Sequence, residues 1–450
     1  MAWALIFHLV NGSYTGDVIH QTADDASYLR PAENFLHSGT WKDNFTGPSA
    51  FVQRPPLMGV QHALFYAVSP QAAPFLTFGF AILLHGIAVF LLTGFLFKRF
   101  NRPIAATALA AYIVLPVFWG FLSYQITEAF AVSFVTISIC CLLDEKATVY
   151  RWLTICCMAL LFRPVLALLF LPFLFSFIRK GTRKISLRTR LLAMAMLLAT
   201  FGWEIRKHTY TGTWFDPHPI YSAENQTMFR PAHHALSDLF RIWEVKPENL
   251  HRISGSLWAG DSTFLQPETI RAYIDESTCP LTEKQLADVL WRYRSAAFNA
   301  RLSFGRQQGE TSEEKAFTHY CNIVKKQTAS SFPAQNLLKT PARSAVDLFR
   351  KSQLNLEVFQ NYWRGNLLTE LLRYLCLAFI LAGLIATFVC LGNPSFRIPA
   401  TGAILYLLYL FWFQRMNEDR YGIVLLPIFL LALTFTVDAL KTRLRKSRTK

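Results

Sequence analysis

Charged residues are scarce in this chain. Only 16% of its 450 residues are Asp, Glu, Lys or Arg, whereas 52% are hydrophobic and 39 are Phe. Soluble globular proteins carry about 25% charged residues, so this composition excludes an ordinary soluble domain and indicates several membrane spans. A glycine-rich phosphate-binding loop and nucleic-acid-binding motifs are also missing, which leaves no support for a nucleotide-dependent or nucleic-acid-binding protein.

The cysteines show no metal-binding spacing. Six of the eight lie in apolar runs, where buried thiols are common. Cys279 and Cys321 lie in polar sequence and could form a disulfide outside the cytoplasm, although spacing alone does not fix their distance. We expect no cofactor; a divalent cation held by Asp24 and Glu128 is the less favoured alternative.

Long apolar runs recur along the chain and predict an all-α polytopic membrane protein. Most are near the roughly 20 residues that a spanning helix needs, and they are too uniform for barrel strands. The runs are Pro74–Phe97, Ile104–Leu122, Ala129–Leu143, Trp152–Phe177, Leu191–Trp203, Leu367–Leu391, Ala400–Phe413 and Tyr421–Leu440.

The net charge of +16 is concentrated beside these runs. Arg179–Arg190 and Lys441–Lys450 each carry six basic residues and no acid, which places them in the cytoplasm by the positive-inside rule. Counting spans from these clusters places residues 11–72 and 204–365 outside the cytoplasm. We therefore predict an N-terminal transmembrane half (1–203), an extracytoplasmic, mainly helical insertion (204–365), and C-terminal transmembrane helices with a basic cytoplasmic tail (366–450).

Two apolar stretches do not fit a single crossing. Trp152–Phe177 must leave and re-enter the same side, and Arg163-Pro164 at its middle predicts two short helices joined by a break. Met1–Val10 is about 15 Å long as a helix, too short to span. We expect either a truncated start or a partial first helix, and favour truncation.

The outer insertion contains helix-start signals. Thr282 with Gln285, and Thr311 with Glu314, have capping-box spacing ahead of helical apolar periodicity. A third helix is predicted over Pro341–Phe349, which begins with proline.

Two outer loops hold most of the chemically suggestive side chains. The first carries the pair Asp24-Asp25, then Tyr28, Gln53 and Arg54; the last carries Arg420-Tyr421, and Glu128 opens a helix between them. Arginine can grip a phosphate in a bidentate way, and a carboxylate can take a proton from an attacking hydroxyl or amine. The pattern therefore favours transfer from a lipid phosphate, although singly these residues could be only wet loop acids, a helix-end anchor or a helix N-terminal acid.

The order of these motifs resembles the GT-C membrane glycosyltransferases of the protein O-mannosyltransferase and aminoarabinose transferase type. The matching motifs are Asp24-Asp25 with Tyr28, Gly39-Thr40-Trp41, Arg54-Pro55-Pro56-Leu57, Glu128, Arg163-Pro164, and Arg420-Tyr421 with Pro427. The resemblance covers about residues 15–205 and 335–440.

This resemblance implies a GT-C helical bundle and a metal-independent, inverting transfer. It implies that Asp24 is the catalytic carboxylate, supported by Asp25, and that Arg54 contacts the donor phosphate; Arg420 is predicted to stabilise the same group. Tyr28, Gln53, Glu128 and Tyr421 are expected to support the site. Asp25, Ser27 and Gln53 depart from the aminoarabinose branch, so that sugar is not expected.

The leading hypothesis is a glycosyltransferase on the outer face of a bacterial cytoplasmic membrane. Its partners would be a polyprenyl-phosphate sugar donor, a lipid, glycan or protein acceptor, and the bilayer. The alternatives are a transporter or flippase, which would line a path with charged residues inside the spans, and an O-antigen polymerase or ligase.

Overall fold

The computed structural model describes residues 5, 8–9, 18–19, 25–39, 41, 56–144, 149–163, 165–180, 187–211, 231–243, 245, 247–274, 279–302, 311–331, 338, 340–350, 367–413 and 419–448. Every regular secondary-structure element in these residues is a helix, which confirms the predicted all-α class. The α-helices are α1 Asp25–Ser38, α2 Pro56–Val68, α3 Ala73–Arg99, α4 Arg102–Val114, α5 Glu128–Leu143, α6 Val149–Phe162, α7 Leu166–Lys180, α8 Leu187–Thr211, α9 Pro231–Ile242, α10 Pro247–Trp258, α11 Pro267–Arg271, α12 Glu283–Leu302, α13 Ser312–Ser331, α14 Thr340–Arg350, α15 Leu367–Val389, α16 Arg397–Leu408 and α17 Leu426–Arg448.

Three helical stretches of the described chain are long and apolar enough to cross a membrane. They are Ala73–Arg99, Glu370–Gly392 and Arg420–Arg445, and four shorter apolar helices lie among them. The larger hydrophobic core is built by these helices, with α15 packed along α17, α3 along α5, and α7 against α16. The protein is therefore an all-α polytopic membrane protein.

The predicted span Ile104–Leu122 is wrong in its second half. Helix α4 ends at Val114, and Pro116–Phe118 forms a short 3-10 turn followed by irregular backbone. A proline disfavours the helical conformation of the residue before it, and Leu115 is extended with ψ of 120°, so the helix ends before Pro116. The residues that follow are buried within the protein, where non-helical backbone at membrane depth is tolerated.

The run Trp152–Phe177 is broken as predicted. Helix α6 ends at Phe162 and α7 begins at Leu166. The Trp152 ring, near the start of α6, lies 6.3 Å from the rings of both Phe170 and Phe173 in α7. The two helices therefore double back on each other and leave Arg163 at the turn.

Helices α1 and α2 run parallel, side by side. Tyr28 of α1 faces Gly59 of α2, Glu33 pairs with His62, and His37 meets Tyr66 with ring centroids 6.0 Å apart. Residue numbers rise together along both helices, so their N-termini lie at the same end. In sequence, Asp24 directly precedes α1 and Arg54 precedes α2 by two residues.

A second, separate hydrophobic core lies within the inserted region and is formed by α9 to α13. Both predicted capping boxes are confirmed, since Thr282 and Gln285 exchange hydrogen bonds, as do Thr311 and Glu314. The predicted third helix is observed as α14, but its Leu348 belongs to the larger core. Cys279 and Cys321 are both free thiols.

The predicted boundary at residue 203 falls inside the continuous helix α8, so the second core begins later than expected. Which side of the membrane each region occupies stays a prediction.

Charged residues lie at both ends of the membrane bundle, with Glu128 at one end and Arg99 at the other. Phe80 of α3 lies 5.9 Å from Phe130, which is half a turn below Glu128 on α5. Arg99, at the other end of α3, is 19 residues beyond Phe80, which corresponds to about 28 Å along a helix. That length is close to the roughly 30 Å thickness of the hydrocarbon layer of a bilayer.

Candidate functional site

The candidate site is centred on Glu128, the first residue of α5. Its Oε1 lies 2.6 Å from Nη1 of Arg163 and 3.7 Å from Nε of Arg420, while Thr127 Oγ1 donates to Oε2 at 3.1 Å. Glu128 is only 4% exposed and Arg163 only 7%. A carboxylate at a helix N-terminus is favoured by the helix dipole, and here two arginines from distant parts of the chain also hold it.

Each charged side chain is delivered by a break or start of a helix. Arg163 follows the last residue of α6, because the residue before a proline is pushed out of the helical region of backbone space. Arg420 lies in the 3-10 segment Asp419–Leu425, which leads into α17. Local sequence therefore places both guanidinium groups at helix boundaries, where they can turn towards Glu128.

Tyr421 lies beside both arginines. The guanidinium carbons of Arg163 and Arg420 lie 5.4 Å and 5.7 Å from the centre of the Tyr421 ring, within the range of cation–π attraction. The Tyr406 hydroxyl donates to the Tyr421 backbone carbonyl at 3.1 Å and so fixes the segment that carries the ring. The ring therefore attracts both guanidinium groups and helps to hold them beside Glu128.

Among the described residues, this cluster contains an unused hydrogen-bond donor on a buried cation. It holds two guanidinium groups and one carboxylate, and Arg163 Nε is buried without a hydrogen-bond partner among the described residues. Burying charge is costly unless it is paired, so such a group favours the arrival of an anion. The arrangement can bind a phosphate through two arginines.

The segment that was predicted as the first outer loop reaches the same cluster. Tyr28, on the first turn of α1, is close enough to Arg163 to interact with it electrostatically. The structure thus brings together four predicted site residues, namely Tyr28, Glu128, Arg420 and Tyr421. Asp25 is the first residue of α1, and nothing of its side chain is described; Asp24, Gln53 and Arg54 lie outside the described residues.

The Gly39-Thr40-Trp41 motif fixes α1 on α2. Gly39 has a positive φ of 70° and donates its N–H to Phe35 O at 2.9 Å, which ends α1 as glycine commonly does. Trp41 lies against Gly59 of α2, where an added Cβ would come within 2.8 Å of the indole. Arg206 of α8 donates to the Trp41 carbonyl at 2.9 Å. The motif therefore has a structural role beside the site.

Further along the same helix pair, His62 Nε2 contacts Glu33 Oε1 at 2.9 Å. The hydrogen bond from His62 lowers the pKa of Glu33 below its ordinary value, against an opposing effect of burial.

In the described part of the chain, no group of three His, Cys, Asp or Glu side chains is placed to hold a metal ion.

Sequence reasoning missed two members of the cluster, Arg163 as a charged site residue and Tyr406. The sequence predicts a helix break at Arg163-Pro164 and matches this pair to a motif of the resembled family, without assigning Arg163 a role at the site. An arginine inside an otherwise apolar run is itself a signal, since ionisable residues at membrane depth are costly and face partners within the protein. Tyr406 has no such signal, because aromatic residues are common in every apolar run here.

No protein-family model matches this chain, and no curated protein matches it. Among solved structures, the chain is similar to the crystal structure of ArnT from Cupriavidus metallidurans in the apo state. That match has a TM-score of 0.34 and 14% sequence identity, and it covers 96% of this chain and 77% of that chain. A TM-score of this size does not establish a shared fold, so the functional proposal rests on the residues of the site.

Proposed function

We propose that this chain is an integral membrane glycosyltransferase. It moves a sugar from a polyprenyl-phosphate donor to an acceptor at the outer face of a bacterial cytoplasmic membrane, with inversion at the anomeric carbon. The observation that supports this best is the buried Arg163–Glu128–Arg420 cluster. It lies at one end of the membrane bundle, beside the helix that follows the paired acids Asp24-Asp25, and it keeps the buried donor Arg163 Nε.

The donor's phosphate is the group that this cluster suits. Arg163 and Arg420 both contact Glu128 Oε1 and can together accept a phosphate, with Arg54 as a third cation. During transfer the bond from the anomeric carbon to the phosphate oxygen breaks, and negative charge grows on that oxygen. Fixed guanidinium groups in a site of low exposure stabilise this charge without having to reorganise.

The acceptor is activated from the α1 side. Asp24 takes the proton from the acceptor hydroxyl or amine as its oxygen or nitrogen bonds to the anomeric carbon on the face opposite the phosphate. Asp25 and Tyr28 support this group, and Gln53 lies beside Arg54 in sequence. The products are the glycosylated acceptor and the polyprenyl phosphate.

The direct test is binding of undecaprenyl phosphate to the purified full-length chain. Arg420→Gln removes one charge-assisted contact, which is worth about 1.5–3 kcal/mol, so we expect affinity to fall roughly 10- to 150-fold. Arg373→Gln is the matched control. It removes the same charge as Arg420→Gln, but Arg373 pairs with Glu370 on the partly exposed side of α15 rather than with Glu128. Undecaprenol, which lacks the phosphate, should bind both variants and the original protein equally.

Equal affinity of the Arg420→Gln and original proteins for undecaprenyl phosphate would contradict the phosphate role. Catalysis is tested separately with Asp24→Asn, which should retain lipid binding and lose sugar transfer. A protein that moves the lipid-linked substrate across vesicle membranes without transferring the sugar would instead be a flippase.

A further inference from the structure

A second cationic surface lies at the opposite end of the bundle from the candidate site. Its three members, called here the arginine patch, are Arg99 at the end of α3, Arg102 at the start of α4 and Arg397 at the start of α16. All three are exposed. They come from two separate parts of the chain, so their proximity is a property of the fold.

The patch is assembled around one aromatic ring. Phe100 and Phe396, which adjoin these arginines in sequence, each place their ring centroid 4.9 Å from that of Phe435 in α17. The Arg99 guanidinium lies over the same ring at 5.9 Å, and its Nη2 donates to Ser395 Oγ at 3.4 Å. The α3–α4 and α15–α16 connections are therefore held against each other, and their cations share one surface.

The charge of the patch is not balanced by the described part of the chain. The neighbouring Lys98 pairs with Asp144 at 3.5 Å, but none of the three arginines has an ion-pair partner among the described residues. Arg397 donates only to a backbone carbonyl, that of Leu391, at 2.9 Å. Neighbouring cations without an ion-pair partner among the described residues repel each other, and an anion would relieve this repulsion.

The helix dipole does not stabilise the arginines at these helix starts. Arg102 and Arg397 are the first residues of α4 and α16, where the helix dipole disfavours a cation. Pro103 and Pro399 remove one backbone N–H from each first turn, which leaves fewer backbone donors for an anion.

We propose that the arginine patch binds the phosphate of an anionic phospholipid headgroup. A lipid fits better than a soluble phosphate because apolar side chains are exposed on the adjoining helices. Phe97 on α3 is 44% exposed, Val389 on α15 is 59% exposed and Val437 on α17 is 49% exposed. These surfaces can accept acyl chains while the guanidinium groups hold the phosphate. This proposal is independent of the proposed enzymatic function.

The test counts lipids that remain bound to the delipidated full-length protein, by native mass spectrometry. The probes are dioleoylphosphatidylglycerol and dioleoylphosphatidylcholine. Replacing all three arginines of the patch by Gln should lower the preference for phosphatidylglycerol at least about tenfold. The control replaces Lys441, Arg443 and Arg445 of the α17 tail by Gln, which removes the same charge from the same end of the bundle. Because juxtamembrane basic residues attract anionic lipid through diffuse charge, we expect the control to lower the preference as well, but by a factor at least about three times smaller than in the patch variant.

Equal losses in the two triple variants would show that only diffuse surface charge attracts the lipid, and would overturn the proposal. The original protein showing no preference for phosphatidylglycerol would do the same. Should the Gln variant fail to fold, a variant with Lys at the three positions keeps the charge but loses bidentate geometry. It should retain part of the preference, and full retention or complete loss would contradict recognition by guanidinium groups.

Discussion

Glu128 should be the residue on which the stability of the candidate site depends most. Its carboxylate is the only described negative charge between Arg163 and Arg420, and it is 4% exposed. Glu128→Gln keeps the size of the side chain but leaves two guanidinium groups facing each other. Removing one partner of a buried ion pair costs about 3–5 kcal/mol, and we expect this variant to fall in that range.

The structure also predicts an order among the partners. Arg163→Met removes a short charged hydrogen bond, worth about 1.5–3 kcal/mol, but Glu128 keeps Arg420 at 3.7 Å. Arg420→Met should cost no more than about 1 kcal/mol, because its side chain is 17% exposed and its contact is longer. The double variant Glu128→Gln with Arg163→Met should be more stable than Glu128→Gln alone, because it removes both charges of the buried pair and leaves neither uncompensated.

Unfolding by sodium dodecyl sulfate in mixed micelles, followed by circular dichroism, measures these differences. Glu370→Gln on α15 is the control, because its pair with Arg373 is exposed on both sides and should contribute little. The reasoning is refuted if Arg163→Met destabilises the protein as much as Glu128→Gln, or if the effects of the two single variants simply add.

Three further predictions concern packing, capping and pH. Gly383→Val should destabilise the α15–α17 contact by about 1–3 kcal/mol in thermal unfolding, since an added Cβ would clash with Phe429 Cβ; unchanged stability would contradict this packing. Thr311→Ala should cost about 1 kcal/mol through loss of its capping box, and Thr311→Ser should restore most of it. The pKa of Glu33 is lowered in the folded protein, so its pair with His62 stabilises the fold above the unfolded pKa of 4.5 and loses this effect as pH falls further. Glu33→Gln should therefore flatten the acid side of the stability–pH curve, and an unchanged curve would rule the pair out.

Features that depend on neighbouring residues could be predicted from the sequence. The capping boxes at Thr282 and Thr311, and the helix break at Arg163-Pro164, follow from short-range backbone chemistry. Helix α4 was predicted too long. The prediction followed hydropathy and gave too little weight to Pro116, which lies near the middle of the apolar run. A proline there is stronger evidence than the apolar residues that follow it.

The partnership at the site could not be predicted in the same way. Glu128 is 35 positions from Arg163 and 292 positions from Arg420, so only the packing of α5 against its neighbours brings their side chains together. Sequence pointed to Glu128 and Arg420 separately, as charges at helix ends. Arg163 and Arg420 share one carboxylate oxygen of Glu128, and this depends on the arrangement of the whole bundle. The roles of Asp24, Asp25, Gln53 and Arg54 stay predictions.

The separation of about 28 Å between the two charged ends of the bundle makes the protein sensitive to the thickness of its membrane. Both ends are fixed by short contacts, to Glu128 at one end and to the Phe435 ring at the other, so neither can slide along its helix. In a much thicker bilayer, one set of arginines would have to enter hydrocarbon, or the lipid would have to thin around the protein. A host membrane of the wrong thickness would therefore strain the molecule.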